Sequence, residues 1–128
     1  MRWRAWLGSL LAAGTATHGC MTMAQEARRP LDDPQLARAW QALRVVNCER
    51  CHGPGHTGLA APSIVEYART HERPDFARMV LEGDLPRGMP AYRGNPLVSD
   101  NIDGIYLYFL GRADRSIGMR EQPGSTER

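Results

Sequence analysis

Cys48, Cys51 and His52 have the residue types and the spacing to hold a cofactor. They stand in the run Cys48-Glu49-Arg50-Cys51-His52, where two thiols are separated by two residues and an imidazole follows directly. Thiols at this spacing can form thioether bonds to the two vinyl groups of one porphyrin, while the histidine reaches its iron. The motif therefore predicts one covalently attached haem c, with His52 as an axial ligand of the iron.

Two other chemistries use paired cysteines, and both need a context that this chain lacks. A zinc site requires further Cys or His ligands at comparable spacing, and a redox dithiol of the thioredoxin kind requires a βαβ unit. The only other cysteine, Cys20, lies near the N-terminus, and the periodicity of the chain is helical throughout. We therefore expect neither a zinc centre nor a structural disulfide.

The second axial ligand is predicted to be Met89. A thioether is a soft, neutral donor that favours reduced iron, and it has to be delivered by a segment that does not swing away. Two prolines and a glycine interrupt residues 85–92, so this stretch is predicted to be a rigid loop without regular secondary structure. Gly88 and Pro90 flank the methionine and stiffen the loop.

Other methionines and histidines compete for the same role. Met79 stands beside Val80 on a helical face and is predicted to be core, and Met119 lies in a polar stretch. His56 is only four residues beyond His52, in a glycine-rich loop, and His71 precedes a polar turn. Both histidines are predicted to be exposed loop residues, because histidine is common at protein surfaces.

The N-terminus predicts export. Arg2 and Arg4 precede a short apolar run, and small residues allow cleavage near Ala24, so residues 1–24 are predicted to be a signal peptide and the mature protein to be periplasmic. The run is too short to span a bilayer well. A weaker alternative is lipidation of Cys20, which would attach the protein to a membrane.

Charge and composition limit the class of protein and the kinds of partner that can be expected. The chain has 128 residues, 42% hydrophobic and 23% charged, which is typical of one globular domain. Of its 16 basic residues two leave with the leader, and 14 acidic residues remain, so the mature polypeptide is formally neutral. This balance gives no electrostatic reason to expect nucleic acid as a partner.

The chain is predicted to be all-α, with about four helices wrapped around the haem. Residues 25–33 form an N-terminal arm, residues 34–111 the domain, and residues 112–128 a flexible tail. The predicted boundary signals are Asp33 and Pro34 for the first helix, Ser63 for the second, Pro74 or Asp75 and then Gly83 for the third, and Ser99 or Asp100 and then Gly111 for the last.

Pro62, ten residues after His52, admits two interpretations. Its carbonyl could accept the second N–H of the ligating imidazole, which would fix the ring, or it could be an ordinary loop proline. The chain resembles class I cytochromes c over residues 34–111, on the haem motif, the glycine-rich loop, Pro62, the Gly-Met-Pro-Ala-Tyr loop and a final amphipathic helix. This resemblance implies the carbonyl role for Pro62, axial ligation by Met89, and Gly88, Pro90 and Tyr92 in the haem pocket.

The segment GMPAYRGNPLVSDNIDGIYLYFLGRADRSIG is also similar to small cytochromes that accept electrons from quinoprotein (pyrroloquinoline quinone) alcohol dehydrogenases. The resemblance implies a monomeric, monohaem carrier of single electrons, without enzyme activity of its own. Its partners would be redox proteins met through a transient interface, with such a dehydrogenase as donor and a terminal oxidase or another cytochrome as acceptor. Two alternatives stay open, namely an enzyme or gas-binding protein with an open sixth iron position, and a fixed subunit of a dehydrogenase or oxidase complex.

Overall fold

A computed structural model describes residues 30–125 as an assembly of six α-helices. The predicted signal peptide, Cys20 and residues 25–29 of the predicted arm lie outside the described residues. The helices are α1 (Pro34–Val46), α2 (Glu49–His52), α3 (Ile64–Thr70), α4 (Arg73–Glu82), α5 (Pro96–Ser99) and α6 (Ile102–Ala113). Four of them are longer than a single turn, and the described part of the chain contains no strand beyond one isolated bridge, so the all-α prediction is confirmed.

Local capping chemistry sets several boundaries. The Asp33 carboxylate accepts the backbone N–H of Gln35 at 2.7 Å at the start of α1, and the Ser63 hydroxyl accepts that of Glu66 at 3.1 Å at the start of α3. Gly83, with φ +70°, ends α4. These three predicted signals are confirmed. Residues Pro30–Asp32 form a 3₁₀ turn in the predicted arm.

The last helix differs from its prediction at both ends. It begins at Ile102, after Asn101, because Asn95 caps a separate short helix, α5, that ends at Ser99. Gly111 does not stop it, since the helix continues to Ala113. A side chain at Gly111 would place its Cβ 2.7 Å from Cδ1 of Ile117, so the glycine makes room for the residue that packs over it.

Residues 114–125, which we call the C-terminal segment, pack against the domain. Ile117 is only 1% exposed, and the N–H of Gly124 donates to the carbonyl of Leu31 at 2.9 Å. The predicted flexible tail from Arg112 is therefore wrong as far as Gly124, because a buried isoleucine and a hydrogen bond to the start of the domain hold it. Residues 126–128 are not described.

The core lies where α1 and α6 cross. Ala39 is fully buried, and a Cβ on Gly104 would come within 2.9 Å of the carbonyl oxygen of Gln35, so small residues let the two helices approach closely. Tyr108 and Phe109 of α6 and Phe76 of α4 fill the interior beside them. No helix within residues 30–125 is long and apolar enough to cross a membrane.

Candidate functional site

A cavity of about 530 Å³ opens beside the crossing of α1 and α6, within the size range of cofactor sites. All eight residues predicted to form the site line it. They are Cys48, Cys51, His52, Pro62, Gly88, Met89, Pro90 and Tyr92. The structure thus brings together segments that lie far apart in the sequence.

The walls of this cavity are mainly apolar. They come from α1, α3, α4, α5 and α6, through Ala42, Leu43, Ile64, Tyr67, Phe76, Val80, Val98, Ile105 and Phe109. Such a lining suits a large flat apolar group with polar contacts at a few points only. The residues present therefore fit a porphyrin.

The cysteine–histidine motif is presented by a sharp change of direction. Asn47 adopts a left-handed conformation, with φ 58°, and ends α1, and Cys48 then directly precedes the single turn of α2. Within this turn the N–H groups of Cys51 and His52 donate to the carbonyl of Cys48 at 3.3 and 3.0 Å. Both thiols and the imidazole consequently face one cavity.

The two thiols differ in environment. Cys51 is exposed, whereas Cys48 is half-buried, and burial raises the pKa of its thiol to about 11. The Cys48 sulfur is therefore uncharged at neutral pH. An uncharged sulfur, as a thiol or a thioether, suits this apolar wall.

His52 is oriented by one short hydrogen bond. Its Nδ1 lies 2.6 Å from the carbonyl oxygen of Pro62. A carbonyl can only accept, so Nδ1 carries the proton and Nε2 keeps its lone pair free. This is the tautomer that a metal-ligating imidazole needs.

The loop between these two residues is held by its backbone. The N–H of Gly58 donates to the carbonyl of His52 at 2.7 Å, and the N–H of Ala61 to that of Cys51 at 2.9 Å. Gly53, at φ +77°, lies so close to Gly58 that a Cβ would be 2.5 Å from its carbonyl oxygen. The position of Pro62 therefore follows from the loop's own hydrogen bonds.

Met89 stands at the end of a tight hairpin. Asp84 and Met89 exchange two backbone hydrogen bonds of 2.9 and 3.0 Å, and a 3₁₀ turn at Leu85–Arg87 closes the loop. The prediction that residues 85–92 form a loop without regular secondary structure is therefore wrong at Leu85–Arg87. Gly88 has φ +87°, which glycine adopts without strain, so the hairpin can close just before the methionine.

The segment after the hairpin is tied to α4. The N–H groups of Tyr92 and Arg93 donate to the carbonyls of Val80 and Leu81 at 3.3 and 3.0 Å. Gly83 allows this approach, because a Cβ there would lie 2.6 Å from the carbonyl carbon of Pro90. The rigidity that the sequence suggested for the loop thus has a structural source.

Met79 was predicted to be core, and the structure adds a second feature to it. It is partly buried and lines the same cavity from α4, so two methionines face the space beside His52. The helical spacing of Met79 predicted an inward-facing side chain but did not indicate that it would line this cavity. Met119 is 62% exposed.

The other two histidines have different surroundings. His71 is exposed, as predicted, and stacks on Tyr67 with ring centroids 3.8 Å apart. The prediction for His56 is wrong, since it is 1% exposed and packs edge-on against Phe109 with centroids 5.0 Å apart. Nothing in the local sequence signals this burial, because the covering residues come from α6.

Three comparisons with known proteins agree with this fold and site. Residues 32–109 match the family model described as cytochrome c oxidase, cbb3-type, subunit III. Cytochrome c-555 of Methylococcus capsulatus is 34% identical over 94 residues, covering 71% of this chain and 75% of the relative.

Among solved structures, the c-type cytochrome XoxG of Methylobacterium extorquens AM1 has the same fold. It superposes with a TM-score of 0.63 at 24% identity, over 75% of this chain and 60% of XoxG, so the match spans less than two thirds of that protein. The chain belongs to the c-type cytochromes described by the matching family model, as a monohaem class I electron carrier with one covalent haem c and its iron.

Proposed function

We propose that the haem lies in the cavity described above, attached through Cys48 and Cys51, with Nε2 of His52 and the sulfur of Met89 as axial ligands. The observation that carries this proposal is the 2.6 Å hydrogen bond from Nδ1 of His52 to the carbonyl of Pro62. It leaves Nε2 free in a cavity that Met89 also lines. The protein is a periplasmic carrier of single electrons between redox partners.

The chain's own residues make this cavity suitable for electron transfer. When bound, the haem supplies the one-electron couple between ferric and ferrous iron. The Pro62 carbonyl holds the His52 proton at Nδ1, and the hydrogen-bonded hairpin holds Met89 in place. Electron transfer requires that the site change little between oxidation states. It breaks no covalent bond, so no catalytic acid, base or nucleophile is needed.

Redox partners are proposed to dock transiently beside the cavity. Leu59 and Leu85 are each 74% exposed. Leu59 directly precedes Ala60, and Leu85 directly follows Asp84, and both of these neighbours line the cavity. Exposed leucines of this kind suit a small interface of under about 1,200 Å² that releases quickly. The similarity of residues 88–118 to acceptors of quinoprotein alcohol dehydrogenases supports such an enzyme as donor, with a terminal oxidase or another cytochrome as acceptor.

A second candidate is a fixed subunit of an oxidase complex. The description of the matching family model, cbb3-type oxidase subunit III, favours it. The two candidates share the haem site and differ in residence time on the partner. Co-purification with an oxidase in a fixed ratio supports the subunit, and rapid reduction of the free protein by a purified quinoprotein dehydrogenase supports the carrier.

The optical spectrum of the oxidised protein tests the ligand set. Methionine ligation gives a weak sulfur-to-iron charge-transfer band and a low-spin spectrum. A high-spin spectrum that shifts quickly on addition of cyanide contradicts it and supports an open sixth position instead. Cell fractionation tests the periplasmic location, and the mass of the mature protein tests cleavage near Ala24 against lipidation of Cys20.

A further inference from the structure

A second cavity of about 530 Å³ adjoins the first, since Leu43 and Asn47 line both. Its other lining residues are mostly polar or charged, in contrast to the haem cavity. They are Trp40, Arg44, Glu49, His56 and Gln122. Nothing in the proposed electron-transfer site uses this space.

His56 is the buried group of this cavity. Its side chain is 1% exposed, and neither ring nitrogen has a hydrogen-bond partner among residues 30–125. A buried imidazole without a partner costs free energy, which solvent in a polar cavity can relieve. Both nitrogens are covered by protein in this structure, so a small movement of the cavity wall is needed before water reaches them.

Charged groups face His56 from several elements, and they oppose one another. Oε1 of Glu49 in α2 lies 3.8 Å from Nδ1 and favours protonation. Arg112 of α6 disfavours it. Arg44 of α1 lines the same cavity, and the C-terminal segment contributes only the neutral Gln122.

Arg112 is fixed in this arrangement. It is 9% exposed and donates to the carbonyl of Gly55 at 3.3 Å and to the hydroxyl of Tyr108 at 3.2 Å. Glu49 in turn accepts the N–H of Gly55 at 2.7 Å. Because burial is the largest influence, the pKa of His56 is lowered to about 4 and the ring is neutral at pH 7.

The ring is also close to the haem cavity. Phe109, which lines that cavity, is the side chain against which His56 packs edge-on. Phe109 thus connects the two sites, so a change of charge at the iron acts on His56 through protein as well as through solvent. Removing one positive charge there makes an imidazolium at His56 less costly.

We propose that His56 and the second cavity form a proton-binding site coupled to the oxidation state of the haem. When the haem gains one electron from the donor, His56 would take up part of a proton from solvent at a ring nitrogen, at pH values between the titration midpoints of the oxidised and reduced protein. That proton would return to solvent when the acceptor takes the electron. This inference rests on the proposed placement of the haem in the first cavity.

The test follows the His56 ring by NMR in the intact holoprotein, oxidised and reduced, across acid to neutral pH. We expect the titration midpoint to lie about one pH unit higher in the reduced protein, a tenfold gain in proton affinity. The reduction potential then falls as pH rises through the same window. Equal midpoints in the two states overturn the proposal, whether or not any variant folds.

Variants assign the effect to one residue. His56→Asn suits the left-handed backbone at this position, where φ is 61°, and should abolish the pH dependence in that window. His71→Asn is the matched control and should retain it. A dependence that survives in His56→Asn overturns the proposal and assigns proton uptake to another group.

The same samples separate this inference from the proposed function. A covalently bound haem with the sulfur-to-iron band, together with an unresponsive His56, overturns the coupled proton site alone. Loss of the band in the unsubstituted protein contradicts the axial ligands instead. Glu49→Gln should lower the His56 midpoint in both oxidation states, and an unchanged midpoint contradicts the part assigned to Glu49.

Discussion

His52 and His56 are separated by three residues and have opposite surroundings. His52 is half-buried, and the Pro62 carbonyl fixes its tautomer. His56 is almost fully buried, with both ring nitrogens unpartnered among residues 30–125. The first ring therefore presents a free lone pair on Nε2, whereas burial keeps the second ring neutral at pH 7.

The two cavities repeat this contrast. The first is apolar and is held by the α2 turn and the Met89 hairpin, whereas the second is polar and is partly closed by the C-terminal segment. Leu43 and Asn47 of the region ending α1 separate them. A metal ligand needs a fixed partner on its second nitrogen, and a proton acceptor needs a route to water.

The largest expected effect comes from removing the thiols of the first cavity. In Cys48→Ala/Cys51→Ala the haem is no longer covalently attached, and the domain loses most of its stability because the cofactor fills its core. The loss is comparable with the whole ~5–15 kcal/mol of a small domain. Haem staining after denaturing electrophoresis and circular dichroism measure the two consequences.

Cys20→Ala is the matched control, since Cys20 lies in the predicted leader. It should retain covalent haem and full helicity. Covalent haem in the double variant would show that Cys48 and Cys51 do not form the attachment site.

Exchanging the methionines of the first cavity has the next effect. Met89→Ala should abolish the sulfur-to-iron band and lower the reduction potential, by a sizeable part of the ~0.8 V range that axial ligation spans. Met79→Ala, a change in the same cavity, should keep the band and cost about 2 kcal/mol of stability. Spectra and potentiometry of both variants measure this.

The opposite pattern would be decisive. A band that persists in Met89→Ala and disappears in Met79→Ala would make Met79 the sixth ligand. The hairpin would then serve only to cover the cavity.

The second cavity predicts an acid-sensitive stability. The pKa of His56 is about 4 in the folded protein and 6.5 when exposed, so the unfolded chain binds the extra proton first. The contribution of neutral, buried His56 to the free energy of unfolding is therefore complete above pH 6.5 and is lost as pH falls towards 4. The loss is about 3 kcal/mol. Urea unfolding of the oxidised protein at several pH values measures it.

His56→Asn should flatten this pH dependence, while His71→Asn should leave it as in the unsubstituted protein. Identical acid slopes in all three proteins would mean that His56 is already protonated when folded, or remains accessible to solvent.

The smallest effect concerns the C-terminal segment. A Cβ at Gly124 would lie 2.7 Å from Cβ of Ala37, and φ there is +81°. Gly124→Ala should therefore destabilise the protein by about 1–2 kcal/mol, through strain and clash. Urea unfolding measures the loss, and the sulfur-to-iron band should not change.

Gly94→Ala is the control, because nothing lies within 4 Å of a Cβ placed there. It should change stability by less than about 0.5 kcal/mol. Equal stability of the two variants would indicate that the C-terminal segment is not docked in solution.

Features with local causes could be predicted from the sequence. Asp33 and Ser63 cap their helices through side-chain bonds to residues two or three positions on, and such signals are contained in a short stretch. The haem motif could be found for the same reason, since its three groups share one helical turn. The roles predicted for Pro62 and Met89 remain predictions, although both residues line the expected cavity.

Features with distant causes could not be predicted. Gly111 is a residue type that commonly ends helices, yet it lies inside α6 because Ile117 packs where a side chain would be. His56 has the sequence context of an exposed loop, and it is buried because Phe109 packs against its ring. The helical spacing of Met79 predicted that it faces away from solvent, but it could not distinguish a core residue from one in a cavity wall.

The close crossing of α1 and α6 at Gly104 sets the order in which the protein can mature. The two helices lie at opposite ends of the domain's sequence, so their contact cannot form until the last helix has packed back onto the first. Closure of the core is therefore a late step of folding, and so is completion of the cavity wall that Ile105 and Phe109 of the final helix supply.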